Sequence, residues 1–115
     1  YTQIVRDNTD YDILVEQSPE QADEINELMS VMVDVICSQK KTIRVNGEET
    51  PRDVVKSRLL KLNGSHIEYV LAALKKNTSD VRNIRSYMIT ALYNAPVTMS
   101  SFYRAEVNHD MFGKR

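Results

Sequence analysis

The chain has 115 residues, 42% of them hydrophobic and 27% charged, which is the size and balance of one globular domain around one core. It contains no apolar run long enough to span a membrane and no stretch polar enough to be disordered, and no signal-like segment with a basic start and an apolar middle opens it. The single cysteine excludes an internal disulfide, so we expect a cytoplasmic protein with no membrane partner. Because the chain begins at Tyr1 rather than at a methionine, we expect residues 1–115 to be one domain of a longer protein.

The net charge of −1 conceals a division of charge along the chain. Residues 1–38 carry one base and nine acids, whereas residues 39–115 carry fourteen bases and seven acids. Such a molecule can offer a basic surface to nucleic acid or an acidic surface to a basic protein. It can also neutralise itself by packing its two parts together, and the sequence leaves these three alternatives open.

Two helices are predicted in the acidic part of the chain. A short helix contains residues 11–15 and has Asn8 or Thr9 as its cap. A longer helix spans 19–38, because residues 18–21 combine a capping box with a proline at the first helical position. Its predicted core face consists of Ile25, Leu28, Met29, Met32, Val33 or Val35, and Ile36.

A β-hairpin is predicted next. The short strands at 42–45 and 48–50 flank an Asn-Gly dipeptide at 46–47, which suits the left-handed dihedral angles of a type I′ turn. Two strands are not stable alone in water, so we expect Ile43 and Val45 to pack against the helices.

The remaining segments are predicted to be helical. One helix restarts after the Thr-Pro pair at 50–51 and ends at the Asn-Gly pair at 63–64; its apolar residues are Val54, Val55, Leu59 and Leu60. A capping box at 65–68 begins the next helix, which stops near Asn77 and buries Ile67, Val70, Leu71 and Leu74. The predicted fold is therefore mainly α, with five or six helices and one small β-hairpin.

The last part of the chain is interpreted as two helices. The first runs over 80–96, is capped by Ser79 or Asp80 and is ended by Pro96. The second starts at Thr98 and closes at Gly113, with Met99, Phe102, Tyr103, Val107 and Met111 on its apolar side. The core face of the 80–96 helix is predicted to contain Val81, Ile84, Met88, Ala91, Leu92 and Ala95.

No arrangement of side chains in the sequence predicts an enzyme. Cys37 is interpreted as a buried structural thiol and His66 as a capping or surface residue. His109 and Asp110 are too few ligands for zinc, and neither a phosphate-binding loop nor a nucleophile with its base is present. We therefore expect no catalytic residue, metal, cofactor or small-molecule substrate.

A cationic and aromatic set of residues is the candidate binding surface. Arg82, Ser86, Ile89 and Tyr93 form a stripe on the 80–96 helix away from its predicted core face. Cations neutralise phosphates and tyrosines stack on unpaired bases. The alternative is that the bases form a solvated face while Ile89 and Tyr93 pack under the last helix. The candidate residues for nucleic-acid or partner binding are Lys75, Lys76, Arg82, Arg85, Tyr87, Ile89, Tyr93 and Arg104.

Seven ordered blocks resemble the carboxy-terminal domain of replication initiator protein A of the RepA_N type, found on plasmids and conjugative elements of Gram-positive bacteria. The blocks are DYDIL at 10–14, IRVNGE at 43–48, VVKSR at 54–58, HIEYV at 66–70, NIRSY at 83–87, ALYNAP at 91–96 and VNHD at 107–110. The resemblance implies a domain similar to the helical domain of the primosome protein DnaD. It also implies a role in replication initiation, through contact with primase or the helicase loader.

The DnaD-type domain carries a motif of tyrosine, three residues, isoleucine, two residues and tryptophan. Tyr87 matches the tyrosine, whereas Ala91 and Asn94 stand at the other two positions and Tyr93 comes one residue early. Only the first position of this DNA-binding motif carries over. We therefore expect recruitment of replication proteins, with weak DNA contact as a secondary role. The alternatives are a direct DNA-binding module, with Lys40, Lys41 and Arg44 on a wing-like hairpin, and an oligomerisation domain.

Overall fold

The structure is a computed structural model that describes residues 1–77 and 83–112, with side chains described for residues 1–76 and 83–100. Six α-helices, one 3-10 turn and a two-stranded antiparallel sheet make up this part of the chain. In chain order the elements are α1 (Thr2–Asn8), α2 (Tyr11–Gln17), the 3-10 turn (Pro19–Gln21), α3 (Ala22–Ile36), β1 (Thr42–Val45), β2 (Glu48–Pro51), α4 (Arg52–Leu60), α5 (Gly64–Asn77) and α6 (Ile84–Phe112). The predicted mainly α fold with one small β-hairpin is confirmed.

Helix α3 lies at the centre of the core, in contact with α1, α2, α4, α5 and α6. Its buried residues are Ile25, Leu28, Met29, Val31, Met32, Val35 and Ile36. Val35 rather than Val33 therefore occupies the core position that the sequence left open, and Val33 is only partly buried. Burial of each such side chain contributes about 1.5–3 kcal/mol relative to exposure. Among the side chains that the structure describes, α3 supplies the largest apolar share of the core.

The hairpin has the predicted turn and the predicted buried face. Asn46 and Gly47 have φ of 56° and 78°, as a type I′ turn requires. Val45 pairs with Glu48 and Ile43 with Thr50 across the two strands. The side chains of Ile43 and Val45 are buried, so the hairpin is stabilised by packing on the helices rather than by its own hydrogen bonds alone.

The start and end of α3 differ from the prediction of one helix over 19–38. Its first turn is the 3-10 turn, and Ser18 makes no side-chain capping hydrogen bond; its carbonyl accepts a hydrogen bond from the N–H of Gln21 at 2.9 Å instead. The tighter 3-10 turn changes the direction of the first N–H groups, so the predicted capping box at 18–21 does not form. Cys37 follows the last helical residue and is exposed, so its interpretation as a buried thiol is wrong.

The beginning of the chain contains a helix that the sequence pattern did not reveal. Helix α1 buries Val5 but leaves Ile4 exposed, and a single buried residue gives no recognisable periodicity. The predicted cap of α2 is also wrong, because its N-cap is Asp10 in a left-handed conformation without a side-chain bond. The Thr9 hydroxyl is buried and donates back to the carbonyl of Val5 at 2.7 Å.

The cap of α5 lies two residues before the predicted capping box. The Asn63 side-chain oxygen accepts hydrogen bonds from the N–H groups of Ser65 and His66, at 3.0 and 3.2 Å. In return, the backbone N–H of Asn63 donates to Nδ1 of His66 at 3.0 Å. This is the reciprocal geometry of a capping box, with asparagine and histidine in its two positions. The expected buried stripe is confirmed at Ile67, Val70, Leu71 and Leu74.

Helix α6 continues through Pro96 to Phe112, so the prediction of two separate helices is wrong. A proline inside a helix removes one backbone hydrogen bond and favours a bend, but it does not always end the helix. Leu92 and Ala95, just before Pro96, are fully buried and hold this segment against the core. Met88 is buried as predicted, and Ile84 is 36% exposed. Ser79, Asp80 and Val81 lie outside the described residues, and so do the side chains predicted to face the core after residue 100.

Candidate docking surface on the last two helices

The predicted binding residues do not form one continuous surface. Lys75 and Lys76 are exposed in the last turn of α5, and Tyr87 is half-buried on α6. Arg85, Ile89 and Tyr93, four residues apart in turn, lie on the face of α6 opposite Tyr87, and each contacts a different part of the domain. Arg82 and the side chain of Arg104 lie outside the described residues.

Ile89 and Tyr93 are not available as a free stripe. Ile89 is only 9% exposed and belongs to the hydrophobic core, so its predicted position away from the core is wrong. The guanidinium of Arg58, on α4, lies over the Tyr93 ring at 4.0 Å from its centroid. A cation–π contact of this kind contributes about 0.5–1 kcal/mol at a partly exposed site. Tyr93 therefore joins α4 to α6, and no second helix is needed to cover it.

The hairpin turn is joined to α6 by a pair of amides. Asn46 Nδ2 donates to Asn94 Oδ1 at 3.1 Å, and Asn94 Nδ2 donates to Asn46 Oδ1 at 2.8 Å. Each side chain thus uses a donor and an acceptor in one reciprocal contact. The contact fixes the hairpin tip beside the middle of α6.

A groove runs along the outer side of α5 and α6. We name it the α5–α6 groove; its volume is about 270 Å³ and its lining side chains are Tyr69, Val70, Ala73, Tyr87, Thr90, Ala91, Asn94 and Thr98. Ala73 and Ala91 are small and partly exposed, which leaves space between the larger side chains of Tyr69 and Tyr87. None of the lining residues that the structure describes is charged, so the groove is suited to an apolar side chain of another molecule.

The last turn of α5 is basic. Lys75 and Lys76 are both exposed at the end of α5, and neither forms an ion pair with a residue whose side chain the structure describes. Lys76 follows Ala73 by three residues and therefore lies on a neighbouring face of the same helix. Lys75 follows Ala73 by two residues and therefore lies on the opposite side of α5 from the groove.

A second depression separates the hairpin from the start of α6. We name it the hairpin–α6 cleft; its volume is about 460 Å³, and its charged lining residues are Asp34, Lys40, Arg44, Glu49 and Arg85. Two of the three cations are paired, Arg85 with Asp34 at 3.2 Å and Arg44 with Glu49 at 3.4 Å. All four of these side chains are more than half exposed, so each pair contributes at most about 1 kcal/mol.

Among the described titratable groups, one has a shifted pKa, and it lies in a helix cap. His66 is the only described residue with a resolved pKa shift; partial burial lowers its pKa below the ordinary value of 6.5. Its Nδ1 accepts a hydrogen bond in the helix cap, which also requires the neutral imidazole. Among the described residues, no three His, Cys, Asp or Glu side chains lie close enough together to hold a metal ion.

The α5–α6 groove was only partly indicated by the sequence. Tyr87 was identified through its motif position, but Tyr69, Ala73 and Ala91 were not. The available signal was their spacing: Tyr69 and Ala73 are four residues apart on α5, and Tyr87 and Ala91 are four apart on α6. Alanine is an ordinary helix former, so its presence at these positions does not predict a groove. The groove can be recognised only when the two helices are placed side by side.

Comparisons with known proteins give a family match. No curated protein and no solved structure is significantly similar to the chain. Over the part of the chain that the structure describes, no helix is both long and apolar enough to cross a bilayer. One family model matches residues 1–113, which is nearly the whole sequence. The chain therefore belongs to DUF6017, a family of unknown function.

Proposed function

We propose that the chain is the carboxy-terminal domain of a replication initiator of the RepA_N type, and that it recruits primase or the helicase loader without catalysing a reaction. The seven-block resemblance supports the replication role. The family match over residues 1–113 is consistent with one self-contained domain. The observation that carries the proposal is the α5–α6 groove, since it places Tyr87, the matched motif residue, in an uncharged depression.

The geometry favours a protein partner over single-stranded DNA on this side of the molecule. Stacking on an unpaired base needs an accessible aromatic face, and Tyr93 is already covered by Arg58 at 4.0 Å. Arg85, another predicted binding residue on α6, is paired with Asp34. An uncharged groove between two helices resembles the surfaces that bind a helix of a partner protein.

A titration against purified primase and helicase loader tests the proposal. The chain is labelled and its binding to each protein is measured at moderate salt, with bovine serum albumin as the negative control. We expect saturable binding to one of the two proteins. Absence of binding to either would refute recruitment as the function of this domain.

Direct DNA binding is the second candidate, and the hairpin–α6 cleft is the observation that favours it. Lys40 and Arg44 from the hairpin region meet Arg85 of α6 in this cleft, and Lys41 is exposed beside them. Such binding would weaken steeply with salt, because phosphate contacts release counterions. The test is DNA binding by a variant with Arg82→Glu and Arg85→Glu. Unchanged affinity would show that the start of α6 is not a DNA surface.

A further inference from the structure

We propose that two copies of the chain associate through Ile13 of one copy, which enters a groove along the outer side of α4 of the other. The contact joins an apolar side chain flanked by acids to an apolar groove flanked by lysines. It goes beyond recruitment and does not depend on it, because neither surface belongs to the α5–α6 groove.

The groove is formed by one face of α4, and we name it the α4 groove. Its volume is about 360 Å³ and its lining residues are Asp53, Lys56, Ser57, Leu60 and Lys61. They follow one another at intervals of three, one, three and one, so they lie along one side of the helix. Leu60 is partly buried against the core and supplies apolar surface. The aliphatic stems of the two lysines add to that surface and carry an ammonium group at their ends.

The charges of the two lysines are not neutralised within the described part of the fold. Asp53, the acid in the lining, is paired with Arg52 at 2.9 Å. Lys56 Nζ donates a hydrogen bond to the hydroxyl of Tyr1 at 2.9 Å, which is a neutral partner. Lys61 is exposed and forms no ion pair with a described side chain. The α4 groove therefore favours an apolar side chain that has carboxylates beside it.

Helix α2 presents a side chain of this kind. Ile13 is 52% exposed, whereas Leu14, the next residue, is buried in the core. Asp12 precedes Ile13 and Glu16 follows it by three residues, and both acids are exposed. Glu16 thus lies one turn away on the same side of the helix. Helix α2 contains no lysine or arginine, so the surface around Ile13 is acidic.

The other large apolar side chains that are exposed in the described part of the chain match the α4 groove less well. They are Tyr1, Ile4, Val54, Ile84 and Val97. Tyr1 contacts Lys56 and Val54 belongs to α4, so both lie beside the groove itself. Ile4 is followed by one base and one acid, and Ile84 is followed directly by a base. Val97 has no acid within four residues.

The contact uses a different surface on each copy. It is therefore either repeated reciprocally in a two-fold dimer or continued from copy to copy in a chain. One inserted side chain with its flanking charges buries far less than the roughly 1,200 Å² of a standard interface. We expect weak association, with a dissociation constant of about 0.1–1 mM.

Sedimentation of the full chain over about 0.02–2 mM tests whether copies associate. The average mass should rise with concentration, and about 1 M NaCl should reduce the rise because it screens the flanking charges. Ile13→Gln should weaken association about tenfold. Val97→Gln, at a residue that is 60% exposed on α6, is the matched control and should change it less than about twofold. A mass of one chain at every concentration would overturn the inference.

A charge exchange tests which surfaces meet. Asp12→Lys with Glu16→Lys, and separately Lys56→Glu with Lys61→Glu, should each weaken association about tenfold. A chain with all four substitutions should associate again, because every contact then joins a basic α2 to an acidic α4 in a dimer and in a chain alike. Circular dichroism checks that each variant is folded. Failure of the folded four-substitution chain to associate would overturn the inference.

The place of the contact is measured by diluting ¹⁵N-labelled natural chain. Amide signals that move with concentration should cluster at Ile13 and Glu16 on α2, and at Ser57 and Lys61 on α4. Shifts confined to other residues would show that the copies associate through another surface and would overturn the inference. The titration against primase and helicase loader uses labelled chain well below about 0.1 mM, so its outcome is independent of self-association.

Discussion

At the start of α5, Asn63 and His66 exchange hydrogen bonds in which the histidine acts as an acceptor. Nδ1 of His66 lies 3.0 Å from the donating N–H of Asn63, so a proton on Nδ1 would remove this bond. Partial burial independently lowers the pKa of His66 from 6.5. The neutral imidazole is therefore the form that stabilises the beginning of this helix.

The first prediction is that acidification destabilises the domain through His66. The pKa is lower in the folded state than in the unfolded state, so the unfolded chain binds the proton first as the pH falls below 6.5. The stabilisation is complete above 6.5 and is lost as the pH falls through the lowered folded pKa. The free energy of unfolding, measured by urea at several pH values, should decrease over this window.

His66→Gln is the control for that prediction. Glutamine at the same position accepts a hydrogen bond in a capping box but does not titrate. The variant should keep most of the stability at neutral pH and should lose less of it in acid than the natural chain. Equal acid sensitivity in the two proteins would show that other groups cause the effect.

Single residues show where sequence reasoning succeeded and where it could not. The apolar residues of α3 and α5 were identified because six positions in α3 and four in α5 repeat the helical period. The burial of Cys37 and of Ile89 was predicted wrongly because each residue lies at the edge of an apolar helix face. At that edge, a step of one residue, about 100° around the helix axis, takes a side chain from the core to solvent. The contact of Arg58 with Tyr93 joins residues 35 positions apart, and no local pattern contains such a pair.

At the scale of elements, the contact between the hairpin tip and α6 joins two parts of the fold that share no sequence neighbourhood. Asn94→Ala removes both hydrogen bonds of the Asn46 amide but leaves the turn residues unchanged. We predict a loss of about 0.5–1.5 kcal/mol in the free energy of unfolding. Asn46→Ala should cost more, because Asn46 also has φ of 56°, which alanine adopts less readily.

A double-mutant cycle isolates the amide pair. If the two side chains interact as described, the double variant Asn46→Ala with Asn94→Ala should be more stable than the sum of the two single losses implies. Strictly additive losses in chemical denaturation would contradict the contact. Thr98→Ala, on the same helix and without this contact, serves as the reference for a polar-to-alanine change.

The third prediction concerns the proline within α6. Pro96 cannot donate to the carbonyl of Leu92, and its ring crowds the preceding turn, which in a helix interior costs about 3 kcal/mol relative to alanine. Pro96→Ala should therefore raise the free energy of unfolding by about 1–3 kcal/mol, measured as an increase in the denaturant midpoint. A lower midpoint would show that the domain depends on the bend that proline favours. Val97→Ala, at a neighbouring residue that is 60% exposed, controls for loss of side-chain volume.

Helix ends were predicted less well than helix centres, for a physical reason. Near a helix start, the sequence has several neighbouring residues that could cap the helix, such as Ser18, Thr50 and Ser65. The packing of the whole helix decides which residue becomes the cap. Pro96 is read locally as a stop signal, yet burial of Leu92 and Ala95 outweighs that preference. The hairpin was predicted correctly because an Asn-Gly turn restricts the backbone strongly without help from the rest of the fold.

At the scale of the whole molecule, the charge division remains largely unneutralised among the side chains that the structure describes. All nine acids among residues 1–38 are exposed, and Asp34 is the one that forms an ion pair with a base whose side chain the structure describes. One of the three alternatives was that the acidic part packs against the basic part. Among the described side chains, such packing accounts for a single ion pair. The other eight carboxylates face solvent, where they repel one another.

This repulsion leads to the last prediction, that salt stabilises the domain. Asp12 and Glu16 on α2 are four residues apart, as are Asp23 and Glu27 on α3, and like charges at this spacing destabilise a helix by about 0.2–0.5 kcal/mol per pair. Glu16→Gln with Glu27→Gln should therefore raise the midpoint of thermal unfolding at low salt. The advantage should disappear at about 1 M NaCl, where the Debye length is about 3 Å. Glu68→Gln is the matched control, because Glu68 is exposed on α5 and has no charged residue three or four positions away. If salt instead lowers the stability of the natural chain, favourable ion pairs outweigh the repulsion, and the exposed acids are not the dominant charge interaction in this fold.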